Sequence, residues 1–228
     1  MENILLSVVE ARVFGCLIEK SITTPDYYPL TLNLLQAACN QKSSRNPVME
    51  LEAKDVLRAV DSLRQKQLAL QMELEGARVP KYKYILTGSE ALANLPKSEL
   101  ALLCCLLLRG AQTGGELKTR CERLYEFESL EQVNELLEEM AGREENPLIM
   151  KLPRQSGRRE SRFVHLLCGK PEIDEEEEGC RPMMVEAARR ELEEDEQRFA
   201  SLEEQVKQLQ EQVEQLQTEL QKLKTLLL

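Results

Sequence analysis

The sequence is poor in aromatic side chains and contains a single His. There is no Trp among its 228 residues, which include five Tyr and four Phe, whereas charged residues make up 31% of the chain. This balance is typical of a mainly helical protein that carries a long solvated helix. One His also leaves little material for a zinc site built from Cys and His ligands.

Motifs that carry catalytic chemistry are also missing. The sequence contains no nucleophile elbow, phosphate-binding loop or metal-ligand spacing. His165 lies in the segment RFVHLL, where alternation with Val164 favours a partly exposed strand histidine over a general base. Gly114 and Gly115 precede a helix and could bind an anion at its N-terminus, but such a pair more commonly serves a turn. We therefore expect a non-enzymatic protein without a cofactor or metal.

The seven cysteines include no Cys-x-x-Cys pair. Five of them fall within apolar helical patterns, which favours buried, reduced thiols over a disulfide framework. These five are Cys16, Cys39, Cys104, Cys105 and Cys121. Reduced thiols are typical of a cytosolic protein, so we expect a cytoplasmic location.

Long apolar runs are absent as well. The first residues, MENILLSVVEARVF, place an acid at Glu2 and follow a short apolar run with Glu10 and Arg12. This charge pattern does not fit a signal peptide, and no apolar stretch reaches the length that a membrane-spanning helix needs. The sequence therefore predicts no membrane partner.

The acidic charge is confined to the C-terminal quarter of the chain. Residues 1–88 carry 11 Lys and Arg against 10 Asp and Glu, and residues 89–170 carry 12 against 13. Residues 171–228 carry 7 against 17, which accounts for the net charge of −10. The neutral first three quarters argue against a general affinity for nucleic acid.

Helical periodicity predicts three helices in the first part of the chain. The first covers residues 8–20 behind a capping box formed by Ser7 and Glu10, the second covers TLNLLQAACNQ, and the third runs from about residue 52 to 66. The segments LALQMEL and KYKYIL alternate apolar and polar residues, as the strands of a hairpin with one wet face do.

The same order then repeats. A helix opens near Pro96 and stops at Gly110, a second starts near Thr113, and a third spans residues 130–141. The segments PLIMKL and RFVHLL predict a second hairpin. This order predicts a mainly α fold with small β-hairpins (α+β), in which residues 1–88 and 89–169 each form a winged helix-turn-helix domain. The segment PEIDEEEEG predicts an acidic linker over residues 170–182.

Three segments closely resemble the bacterial YceH family, also called uncharacterised protein family 0502. They read EARVFGCLIEKSITTPDYYPLTLNLLQAACNQKSSRNPVMEL, LLLRGAQTGGELKTRCERLYEF and PLIMKLPRQSGRRESRFVHLL. The resemblance covers roughly residues 8–168 and implies two winged-helix domains. It implies no enzymatic activity, cofactor or catalytic residue, and the C-terminal segment lies outside it.

The charges of the two third helices bear on nucleic-acid binding, because winged-helix domains often place this helix in the DNA major groove. The first is mixed, with Lys54, Arg58, Arg64 and Lys66 against Glu52, Asp55 and Asp61. The second carries Glu131, Glu135, Glu138 and Glu139 and no Lys or Arg. Since DNA affinity depends on cations that neutralise phosphates, we expect the second helix not to bind DNA.

Basic residues of the second hairpin favour the opposite interpretation. They cluster around Gly157 and could contact a phosphate backbone, although an exposed tip kept soluble by Arg, or one paired with the acidic tail, explains them as well. The loop before the third helix adds a weaker basic patch. The candidate nucleic-acid contacts are Lys42, Arg45, Lys54, Arg58, Arg154, Arg158, Arg159 and Arg162.

A heptad pattern ends the chain. Residues 183–228 predict a helix, and its apolar positions step by three and four from residue 199 onward. The a positions are Phe199, Val206, Val213, Leu220 and Leu227, and the d positions are Leu202, Leu209, Leu216 and Leu223. Val at central a positions with Leu at d favours a parallel coiled-coil homodimer. The alternative is a single helix folded back on the globular part, which would need a wider apolar stripe.

Two functions therefore remain open. The first is a dimeric, non-enzymatic adaptor whose winged-helix domains bind an unknown protein partner; the acidic third helix, the neutral domains and the coil favour it. The second is a dimeric winged-helix transcriptional regulator that binds DNA through the first domain's third helix and the second hairpin. The charge distribution does not favour this second function, although the expected fold does.

Overall fold

Two sets of three helices and a β-hairpin follow each other along the chain. The structure is a computed structural model that describes residues 4–73, 79–154 and 160–171. The elements of the first set are α1 (Val8–Thr23), β1 (Leu30–Thr31), α2 (Leu32–Cys39), α3 (Ala53–Gln65), β2 (Ala69–Met72) and β3 (Lys81–Tyr84). The remaining elements are α4 (Glu90–Ala93), α5 (Lys97–Arg109), α6 (Gly114–Cys121), α7 (Leu130–Ala141), β4 (Ile149–Lys151) and β5 (Phe163–His165). The predicted α+β class is confirmed.

Side-chain caps start the helices at the predicted places. The Ser7 hydroxyl accepts a hydrogen bond from the Glu10 amide at 3.2 Å, and the Glu10 carboxylate accepts one from the Ser7 amide at 2.9 Å. Thr113 and Glu116 form the same reciprocal pair at the start of α6. Each capping box satisfies amide groups that the first helical turn leaves without partners. Both predicted starts are confirmed.

A short strand that the sequence did not predict joins the first hairpin. β1 pairs with β3, so the three strands lie in the antiparallel order β1, β3, β2, with Leu30 opposite Tyr82. In the second set β4 pairs with β5, and Gln112 forms a single bridge to Phe163. Gln112 lies directly before the cap of α6, much as β1 lies directly before α2. A strand-like contact therefore precedes the second helix in both sets.

Ion pairs and thiols occupy corresponding places in the two sets. Glu10 and Glu99 are each the third residue of the first helix. Glu10 binds Lys66 at 2.5 Å and Glu99 binds Arg143 at 2.7 Å, and each base follows the third helix of its set. Cysteine thiols contact each other between the first and second helices of both sets: Cys16 with Cys39 and Cys105 with Cys121. The two sets therefore share these local features as well as the order of their elements.

The two sets share one hydrophobic core through their first helices. Cys104 donates to the carbonyl oxygen of Gly15 at 3.4 Å, so α1 and α5 approach closely. A Cβ at Gly15 would lie 2.9 Å from Leu108 Cδ2 and 3.2 Å from Leu107 Cβ. Every residue of α5 from Glu99 to Leu108 is buried, as expected for a helix that is apolar all round. A larger residue at this crossing would have to displace Leu107 and Leu108.

All described residues lie in one compact unit, Met1–Glu172. The five cysteines within apolar helical patterns are buried in its core, as predicted. No helix in the described ranges combines the length and hydropathy needed to cross a bilayer. Apart from residues 170 and 171, the predicted acidic linker and C-terminal helix fall outside the described part of the chain.

Replacing Gly15 with Val is expected to lower the free energy of unfolding by about 1–3 kcal/mol, because the added methyl groups overpack the contact between α1 and α5. Gly115 is a matched control, since nothing lies within 4 Å of a Cβ placed there. Gly115→Ala is expected to raise stability by up to about 1 kcal/mol through helix propensity. Urea unfolding of both variants tests this prediction, and equal unfolding midpoints for the two would contradict the predicted overpacking.

Candidate interaction surface

The exposed face of α3 carries cations that local acids largely neutralise. Lys54 lies 2.6 Å from Glu52, and Arg64 lies 3.0 Å from Asp61. Arg58 is exposed on the same helix. Because exposed ion pairs of this kind lower the charge that a phosphate would meet, α3 presents a mixed surface rather than a strongly basic one.

The corresponding helix of the second set, α7, presents carboxylates to solvent. Val133, Leu137 and Met140 are buried against the core. The exposed side chains on the outer face are all polar or acidic, and the acidic ones are Glu131, Glu135, Glu138 and Glu139. Hydrogen bonds to its own backbone amide and to Ser129 lower the pKa of Glu131, which keeps it ionised. The predicted acidic face is therefore present.

The basic residues of the second hairpin are only partly brought together. Arg154 is exposed, whereas Arg162 is partly buried and lies 3.9 Å from Glu116 of α6. Arg158 and Arg159 fall outside the described residues. On β4, Lys151 forms an ion pair with Glu138 of α7. Acids on α6 and α7 therefore neutralise part of the charge near this hairpin.

Arg45 corrects the expectation of a basic patch before α3. Lys42 is exposed as expected, but Arg45 is only 6% exposed and points inward. Its guanidinium donates to both carboxylate oxygens of Glu19, at 3.0 and 2.6 Å, and also to Gln41. It donates further to the carbonyl oxygen of Ala38 at 3.1 Å. A phosphate cannot reach this guanidinium, so Arg45 holds the loop between α2 and α3 against α1.

A second buried guanidinium lies in the same region and was not singled out from the sequence. Arg12 is 2% exposed and donates to the carbonyl oxygens of Cys39 at 3.2 Å and Pro47 at 2.6 Å. Burial lowers the pKa of Arg12. Burial also acts to lower the pKa of Arg45, but the hydrogen bonds and charge of Glu19, together with the nearby Cys16, raise that pKa overall. The signal for this buried role in the sequence was the position of Arg12 within the apolar pattern of α1.

His165 lies on a strand and is partly exposed, as predicted. It lies on β5 opposite Ile149, and within the described ranges its buried Nδ1 atom has no hydrogen-bond partner. Burial lowers the pKa of His165 to about 4, so the imidazole is neutral at neutral pH. No carboxylate that could activate it as a base contacts the ring among the described side chains.

Of the Gly114–Gly115 pair, Gly114 serves packing. A Cβ at Gly114 would lie 2.0 Å from Asn134 Oδ1, so glycine lets the start of α6 approach α7 closely. In the ranges that the structure describes, His, Cys, Asp and Glu form no group of three or more that could hold a metal ion. The exposed candidate contact residues lie on α3, in the loop before it, on α7 and on the second hairpin.

Comparison with known proteins identifies relatives along most of the chain. Residues 6–158 match the family model described as "Protein of unknown function, DUF480". A UPF0502 protein of Geobacter sulfurreducens is 53% identical over 204 residues, which cover 90% of each chain. UPF0502 proteins of Geotalea uraniireducens and Vibrio campbellii are 52% and 50% identical; they cover 88% and 75% of this chain, and 88% and 79% of their own. The resemblance is thereby confirmed, and the chain belongs to the DUF480 family of UPF0502 proteins.

Proposed function

We propose that this protein is a non-enzymatic adaptor that binds a protein partner through a pair of winged-helix modules. Two features support the modules. Each set places three helices before an antiparallel hairpin, and in each set a strand-like segment before the second helix pairs with that hairpin. This is the arrangement of a helix-turn-helix unit followed by a wing.

The acidic face of α7 carries the proposal. In winged-helix proteins that bind DNA, the third helix enters the major groove, where its cations meet phosphates. α7 holds the corresponding position but exposes four carboxylates. Glu138 and Glu139 form ion pairs with Lys151 and Arg143, so Glu131 and Glu135 carry most of the charge that would repel phosphates. A protein surface rich in Lys and Arg has the complementary charge, and complementary potentials raise association rates and specificity.

A second candidate is a DNA-binding regulator that uses the first module. Arg58 and Lys54 are exposed on α3, Lys42 is exposed in the loop before it, and Arg154 is exposed at the second hairpin. Each of these residues could contact a phosphate. The ion pair between Lys54 and Glu52 weakens this candidate. The burial of Arg45, which keeps its guanidinium from a phosphate, weakens it further.

Removing charge from α7 is expected to abolish partner capture. Glu131→Gln with Glu135→Gln keeps the size of both side chains but removes two charges from the acidic face. Glu144→Gln with Glu145→Gln makes the same change in the exposed loop after α7 and serves as the control. Quantitative mass spectrometry of the captured proteins should find basic proteins that bind the wild type and the variant with Glu144→Gln and Glu145→Gln. The same proteins should not bind the variant with Glu131→Gln and Glu135→Gln. Equal capture by both variants would contradict the proposed surface.

A salt titration separates the two candidates. For the adaptor, fluorescence anisotropy with duplex DNA is expected to show no binding near roughly 50 mM salt. A regulator with several phosphate contacts would instead bind there and lose affinity steeply as salt increases. If binding occurs and Arg158→Ala with Arg159→Ala makes that dependence shallower, the DNA-binding candidate replaces the adaptor.

We further propose a parallel homodimer through the C-terminal heptads. Light scattering on the full chain is expected to give the mass of a dimer, and Leu209→Asp with Leu216→Asp to give a monomer, because both place a charge in the seam. Lys207→Asp introduces the same side chain at an outer heptad position and should leave the dimer intact. A wild-type monomer at tens of micromolar would contradict the dimer.

A further inference from the structure

Two buried thiols of the second set lie within reach of each other. The sulfur of Cys121 lies 3.0 Å from the sulfur of Cys105. Cys105 is 4% exposed in α5, and Cys121 is fully buried as the last residue of α6. Disulfide sulfurs are bonded at about 2.05 Å, so small side-chain rotations would bring these two atoms into bonding distance.

We propose that Cys105 and Cys121 form a redox modification site that a small, low-molecular-weight disulfide oxidises to an intramolecular disulfide. One protein thiolate attacks the small disulfide, forms a mixed disulfide and releases one small thiol. The second protein thiolate then attacks the protein sulfur of the mixed disulfide and releases the other small thiol. The protein loses two electrons and two protons, and the small disulfide gains both as two thiols.

The neighbouring thiol, Cys104, points elsewhere and distinguishes the pair. Its sulfur donates to the carbonyl oxygen of Gly15 in α1. Cys121 contacts α5, since its thiol lies 3.5 Å from the carbonyl oxygen of Ala101 and 3.0 Å from the Cys105 sulfur. Adjacent residues of one helix project in different directions, so oxidation should select Cys105 over Cys104.

Access to the pair is controlled by the end of α6. Glu122 and Arg123 directly follow Cys121 and are exposed, so opening of this last turn would uncover Cys121 first. The hydrogen bond to Cys105 and burial raise the pKa of Cys121, which keeps the thiolate fraction small in the closed state. Oxidation is therefore slow in the native protein and becomes faster as pH rises.

Peptide mapping of the full-length protein tests the site. The protein is incubated under native conditions with bis(2-hydroxyethyl) disulfide, a small neutral oxidant, and then blocked with N-ethylmaleimide and digested with trypsin. The expected product joins peptide Ser98–Arg109 to peptide Cys121–Arg123. It should be two hydrogens lighter than the separate peptides, disappear on treatment with dithiothreitol and raise the Tm of the intact protein.

Two variants decide which sulfurs react. Cys104→Ser should retain the linked peptide, while Cys121→Ser should lose it. Loss of the link in Cys104→Ser would overturn the assignment of Cys105. Absence of the link in the native wild type, or its formation only in urea, would overturn the site itself. The wild-type experiment remains decisive even if a variant fails to fold.

Discussion

Replacing Arg45 with Met is expected to lower the free energy of unfolding by about 3–5 kcal/mol, the usual cost of removing one partner of a buried ion pair. The reason is the carboxylate of Glu19, which accepts two hydrogen bonds from this guanidinium and would keep only Lys20, 3.6 Å away, as a cation. Folded proteins are stable by only about 5–15 kcal/mol, so the loss would be severe. Urea unfolding followed by circular dichroism measures it.

Two further variants separate the ion pair from general effects of the substitution. Lys42→Met makes the same kind of change at an exposed neighbouring position and should alter stability by less than about 0.5 kcal/mol. Glu19→Leu combined with Arg45→Met should recover much of the loss, because apolar residues often replace buried ion pairs at little cost. If Arg45→Met were as stable as Lys42→Met, the buried role of Arg45 would be wrong.

Acid is expected to destabilise the protein through His165. Its folded pKa of about 4 lies below the ordinary value of 6.5, so between these values the unfolded state binds more protons. The free energy of unfolding therefore falls as pH decreases from 6.5 toward 4, by about 1.4 kcal/mol for each pH unit. Above pH 6.5 both states are neutral and this contribution is constant.

The measurement is simple because the chain contains one His. Carboxylates also titrate in acid, but their contribution cancels in the difference in unfolding free energy between wild type and His165→Phe. It should vary by about 3 kcal/mol between pH 7 and pH 4. The imidazole protons of the wild type should titrate near pH 4 by NMR. A midpoint near 6.5 would show that the ring is not desolvated.

Local patterns in the sequence predicted the helices and hairpins. The capping box at Ser7 is made by residues three apart, so its spacing predicts it, and the box observed at Thr113 has the same spacing. β1 was missed because two residues are too few to show alternation. The four-residue helix α4 was missed for the same reason. Elements become visible in a sequence only when they are long enough to repeat a pattern.

The role of individual charges was harder to predict. Lys42 and Arg45 are both basic residues of one polar loop, yet only Lys42 is exposed. Glu19, which holds Arg45, lies 26 positions earlier in the chain, and no local pattern connects the two residues. The acidic face of α7, in contrast, follows from helical periodicity within twelve residues. Local periodicity therefore predicts a surface made by one helix but cannot place a side chain whose partner lies on another.

The crossing at Gly15 also bears on the order in which the chain folds during synthesis. Residues Glu10–Ile18 of α1 are all buried, and α5 covers part of that helix. The amide of Asn46 likewise donates to the carbonyl oxygen of Leu108 at 2.9 Å. Synthesis proceeds from the N-terminus, so α1 emerges from the ribosome long before the helix that completes its burial. The hydrophobic core around α1 is therefore completed only after α5 has been synthesised.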